Sequence, residues 1–139
     1  MTVSEIIGKV DHLRPNQMEY DDKIEFLSDL ELMLINEVIL THEIPEWVAE
    51  HETYQKYILT NGREPLHDKA EDGELLIPAP YGRDVYYWYL VSRMDVIEGD
   101  ADRYENDFQM YNNALLTYKD WYNRTYMPLQ PVKSFMKRG

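Results

Sequence analysis

A chain of 139 residues, 44% hydrophobic and with a net charge of −12, is sized for one domain and too apolar for a wholly disordered one. Its acidic balance disfavours conventional DNA binding because like charges repel, and the absence of cysteine removes disulfides and thiolate metal sites. No apolar run approaches the roughly 20 residues needed to span a membrane, and the stretch from Met1 to Glu5 lacks a basic-then-apolar signal pattern.

The acidic excess lies wholly in residues 1–74, whereas residues 75–139 balance to zero. Thr2 and Glu5 have the spacing of a capping box, and Ile6, Ile7, Val10 and Leu13 share one face of a first helix that Pro15 stops. Asp21 and Asp22 supply the next N-terminus. A second helix then holds an apolar stripe of Ile24, Leu27, Leu30, Leu34, Ile35, Val38 and Ile39 to about Thr41, with Glu31 opposite. Residues 42–77 are less periodic. Pro45 precedes a short helix over residues 46–57 in which Trp47, Tyr54, Tyr57 and, at its end, Ile58 are semi-buried, and Asn61-Gly62 marks a turn. Two readings stay open there, a loop-rich excursion and a short β-hairpin. Leu75, Leu76 and Ile77 form an extended lead-in or edge strand that Pro78 and Pro80 end.

A third helix runs from Tyr81 to Gly99, a natural C-cap residue, and Asp100 caps a fourth. In this last helix Ala101, Tyr104, Phe108, Tyr111, Leu115, Tyr118 and Tyr122 recur at alternating spacings of three and four, a heptad seam on a rod about 37 Å long. Pro128 and Pro131 end it, leaving residues 129–139 as a loosely held tail. The expected fold is mainly α. It is a small bundle of four to five helices in one domain over residues 1–128, with the excursion around residues 42–77.

No catalytic, cofactor-binding or metal-binding residues emerge. His12, His42, His51 and His67 include no pair at the i, i+4 spacing of a zinc helix and read as exposed and unliganded. No glycine-rich phosphate loop or nucleophile elbow is present. Asp95 comes nearest to a carboxylate in an apolar setting, and a solvated or arginine-paired role suits it best. The seam of Tyr104, Phe108, Tyr111, Leu115, Tyr118 and Tyr122 is a core stripe, a subunit interface, or both. One helix cannot bury all of it and its flanking aromatics on a single side. Tyr86, Trp88, Trp121, Arg124 and Tyr126 are therefore the candidate interface residues.

Leu-Leu-Ile-Pro-Ala-Pro-Tyr at residues 75–81, a Tyr-rich helix and Glu-Gly-Asp-Ala-Asp-Arg-Tyr-Glu-Asn-Asp at 98–107 form one run of motifs. Tyr-Asn-Asn-Ala at 111–114 and Trp-Tyr-Asn-Arg-Thr at 121–125 complete it. Together they resemble small proteins encoded among the head genes of tailed bacteriophages and prophages, similar to head–tail connector (adaptor, or head-completion) proteins. The resemblance implies a helical bundle that assembles with itself as a ring, typically twelvefold, on the portal vertex. It also implies contacts with the portal protein and the downstream tail-side connector protein, DNA passing through the ring, and no enzyme activity or cofactor. The implied location is the virion neck, and the bacterial host cytoplasm during assembly. Residues 42–74 and Gly82-Arg83-Asp84 depart from the family pattern. The alternative is a stand-alone helical adaptor or regulatory protein that binds one phage or host protein through its aromatic face.

Overall fold

Helix α1 (Val3–Leu13) starts on the expected capping box: the Thr2 hydroxyl accepts from the Glu5 amide and the Glu5 carboxyl accepts from the Thr2 amide. It buries Val3, Ile6, Ile7 and Val10, and Arg14 ends it one residue before Pro15. Helix α2 (Tyr20–Glu37) has Glu19 at its N-cap, so Asp21 and Asp22 lie inside the first turn, where they face the positive end of the helix dipole. Lys23 is buried at the α1–α2 joint with its Nζ 2.7 Å from Asp11 Oδ1. The expected extension of α2 to Thr41 is corrected. The helix stops at Glu37 and a 3₁₀ turn, Ile39–Thr41, follows, with the Thr41 hydroxyl donating to the Val38 carbonyl.

The computed structural model describes residues 1–129, and within them six α-helices and no strand are found. The fold is mainly α, a small helical bundle. The β-hairpin reading of residues 42–77 is therefore set aside; only isolated bridges such as Thr2 to Glu74 and His42 to Pro128 occur. The single helix expected over residues 46–57 is two, α3 (Glu46–Ala49) and α4 (Glu52–Thr60), because the chain turns at His51 and its ring accepts from the Thr53 amide as a new N-cap. Asn61 and Gly62 then both take left-handed backbone, as the turn signal required.

Residues 61–80 carry no helix, yet Leu66, Leu75, Leu76 and Ile77 are buried. This segment runs past the N-terminus, where the Val3 amide donates to the Gly73 carbonyl and the Leu75 amide to the Met1 carbonyl. Helices α5 (Tyr81–Glu98) and α6 (Ala101–Thr125) then form a hairpin, the most extensive helix pair in the molecule. Gly99 turns it with a φ of 73° and the Asp100 carboxyl accepts from the Arg103 amide as the expected cap. Helices α1 and α2 both pack on α5, so α5 lies at the centre of the bundle.

The α6 seam is a core stripe for part of its length. Tyr111, Tyr118 and Tyr122 are buried; Tyr104, Phe108 and Leu115 are half-buried; Ala101 is exposed. After α6 the chain lies beside the end of α2, with the Glu43 amide donating to Met127 and the Leu129 amide to Thr41. The expected loose tail falls almost entirely outside the described residues.

Where α5 begins, Gly82 lies so near the preceding segment that an added Cβ would stand 2.5 Å from the Ile77 carbonyl oxygen. Gly82→Ala is expected to force that backbone apart and cost roughly 1–3 kcal/mol. Urea denaturation checks this; an unchanged midpoint would show that the Ile77 carbonyl is free to move.

Candidate functional site

The carboxyl of Glu31, in α2, is fully buried. Tyr86 of α5 donates its hydroxyl to it, His67 places Nε2 2.8 Å from Oε1, and the Leu76 amide reaches both oxygens at 3.2 and 3.0 Å. The Tyr86 hydroxyl also accepts from the Ile77 amide at 2.8 Å. On the next turn back of α2, the Ser28 hydroxyl accepts from the His67 amide and donates to its carbonyl. Burial, and then the neighbouring Glu31, push the Tyr86 phenol well above its ordinary range, so it stays a donor. This arrangement ties α2, α5 and the non-helical segment together.

A second polar centre lies between α1 and the α5–α6 turn. Arg14 pairs with Asp95, with Glu98 at 3.1 Å and with Asp107 at 3.3 Å, and also donates to the Val91 carbonyl. Of the two roles expected for Asp95, the structure shows the arginine-paired one and not the solvated one. Burial, and then the neighbouring Asp107, push its carboxyl up to about 6, against the opposing pull of Arg14.

Three histidine expectations are corrected: His51 is half-buried with its ring on the Thr53 amide, and two more lie deeper. His42 and His67 are buried, because each has polar partners inside the fold. For His42 these are the Val38 carbonyl at 2.7 Å and Asn123 Oδ1 at 2.7 Å, and its ring stands edge-on to Tyr122. It fastens the end of α2 to the last turns of α6. Among the described residues no group of three or more histidine and acidic residues is arranged to hold a metal ion, and no helix is long and apolar enough to cross a membrane.

The surface has a different character from these centres. Trp121, half-buried, stacks on Tyr81 at 5.0 Å and meets Tyr126 edge-on at 5.8 Å. The Tyr126 hydroxyl accepts from Trp47 Nε1. Farther along α5, half-buried Tyr87 and Trp88 meet edge-on at 4.9 Å. A shallow groove of about 350 Å³ lies between Trp88 and Tyr81 on one side and Met110 and Ala114 of α6 on the other. Arg124 is exposed and makes no ion pair among the described residues. Of the candidate interface residues, then, Trp88, Trp121, Arg124 and Tyr126 reach the surface. Tyr86 does not: it is fully buried on Glu31, and its place among the interface residues is withdrawn.

The expectation that Glu31 lies opposite the apolar stripe of α2 is corrected, and a signal for its burial was present. Glu31 follows Leu27 by four residues and precedes Ile35 by four, which puts it on the apolar stripe. No family model matches the chain, and no curated protein or solved structure matches it either.

Removing the Tyr86 hydroxyl takes a donor from a buried carboxyl and an acceptor from the Ile77 amide, so Tyr86→Phe is expected to cost about 1–3 kcal/mol. Tyr118→Phe is the contrast, because the Tyr118 hydroxyl is buried with no hydrogen-bond partner among the described residues; it is expected to be neutral or stabilising. Equal losses in the two variants by chemical denaturation would contradict this. The raised Asp95 value has its own signature. Between about pH 4 and pH 6 the folded chain holds a proton there that the unfolded chain releases, so this contribution to stability is largest at the acid end and is lost as pH rises through about 6. The stability of wild type relative to Asp95→Asn is therefore expected to fall across that window; a difference constant from pH 4 to 6 would refute the assignment.

Proposed function

We propose that the chain is a structural virion protein that joins the phage head to the tail, one of a ring of copies on the portal vertex. One observation carries the reading. The residues of the resemblance, 75–81, the Tyr-rich helix α5 and 98–125, make up the buried segment and the hairpin around which the bundle is built, and the same hairpin leaves Trp88, Trp121 and Tyr126 half-buried. Half-buried aromatics combine a large apolar area with low entropy cost and a polar tip, the character of interface anchors. A ring subunit needs two different faces. The exposed acids of α1 and α2, among them Glu5, Glu25 and Asp29, would let DNA pass through the channel without sticking.

In this role the partners are further copies of the chain, the portal protein and the next tail-side connector. No reaction and no cofactor belong to it, and its places are the virion neck and, during assembly, the bacterial cytoplasm. Mass spectrometry of gradient-purified particles from a host that produces the protein tests the proposal. The chain is expected in the particles in about equal number to the portal protein. A chain confined to the soluble lysate would reject it in favour of a helical adaptor that presents the same aromatic face to a single partner.

A further inference from the structure

We infer that copies of the chain meet head to tail, the Ile58–Leu59 edge of α4 on one copy seating in the pit beside Trp88 on the next. This deepens the connector reading and rests on it for the ring, though the contact is defined by two surfaces of the chain itself.

The first surface is an apolar knob. Helix α4 turns Thr53 and Tyr54 inward and sends Ile58 and Leu59 out, 56% and 86% exposed, and Leu59 is the most exposed large hydrophobic side chain described. Acidic residues outnumber basic ones in the groove beside Leu59. Glu52, Asp68 and Glu71 line the groove at its foot; Lys56 answers Asp68 at 3.6 Å, which leaves Glu52 and Glu71 without a cation. The second surface is a pit of about 310 Å³ where the end of α1 meets the start of α5. Leu13, Tyr87 and Trp88 supply its apolar lining, and Leu13 is 56% exposed. Lys9 and Arg83 stand on its rim, both exposed and both without an ion pair among the described residues, against the single acid Asp84.

Apolar shape and charge therefore match across the two surfaces: an acidic knob and a basic-rimmed pit. Charge also argues against the competing occupants. A second copy applied pit to pit would set Lys9 and Arg83 against themselves. The C-terminal residues Lys133, Lys137 and Arg138 are basic as well and are mismatched to that rim. Because knob and pit share no residue, each contact leaves a free knob and a free pit, the condition for a ring or an open filament rather than a closed pair.

The chain has no cysteine, which allows the contact to be trapped cleanly. Full-length Leu59→Cys and full-length Leu13→Cys, both at exposed positions, are mixed in equal amounts under mild oxidation. The mixed disulfide is expected in several-fold excess over both homodimers, and its yield is expected to drop several-fold when Arg83→Glu is added to the Leu13→Cys chain. Three outcomes overturn the inference: homodimers as abundant as the mixed species, a yield indifferent to Arg83→Glu, or no more disulfide than an Asp120→Cys control gives. Suppression of the cross-link by a peptide of residues 130–139 overturns it too, in favour of the C-terminal segment as occupant. The trial uses the purified chain alone. Its failure leaves presence in particles untouched, and absence from particles leaves the cross-link result standing.

Discussion

A buried carboxyl organises this molecule. Apolar stripes are enough to bring helices together, but they do not explain how Leu75, Leu76 and Ile77 come to lie in the core without a sheet. An extended segment taken out of water must satisfy its amides, and among the described residues no strand lies beside Leu76 and Ile77 to do so. Glu31 accepts from the Leu76 amide, and the Tyr86 hydroxyl, itself held by Glu31, accepts from the Ile77 amide. His67 closes the other side. A side-chain carboxyl thus does the work that a ladder of carbonyls does elsewhere. It is a costly device if any partner is lost, since a buried carboxyl with unmet hydrogen bonds is among the more destabilising features a core can contain.

The surface depends on that arrangement. Fixing residues 75–77 fixes where α5 starts, with Gly82 against the Ile77 carbonyl and Tyr81 stacked on Trp121. From there the register of α5 against α6 sets which aromatics turn inward. Tyr86, Tyr118 and Tyr122 go to the core, while Trp88, Trp121 and Tyr126 stay half in solvent. Arg14 clamps the opposite end of the hairpin to α1 through Asp95 and Asp107 and so brings Leu13 and Lys9 up to Trp88. The core and the half-buried aromatic face are consequences of one register.

The parts of this that could be read in the sequence are those written in local chemistry. The Thr2–Glu5 box, the Asn61-Gly62 turn, the Gly99 stop and the Asp100 cap each involve residues within a few positions of one another, and each stands as expected. The α6 seam was legible because its period is carried over many turns. Residues 42–80 were not, because what orders them is distant: His67 meets Glu31, Thr53 meets the Glu74 carbonyl and His51 lies 3.2 Å from that of Leu75. Tyr86 and Trp88 show the same limit at the surface. Both are aromatic, two residues apart on one helix, and the placement of the elements packed on α5 decides that one is core and the other is not.

Native-state hydrogen exchange at the Leu76 and Ile77 amides measures the central interaction most directly. If the Glu31 and Tyr86 groups hold the segment, these two amides exchange as slowly as the inner positions of α2 and α5, through global unfolding alone. Exchange as fast as that of the exposed residues 68–72 would contradict it.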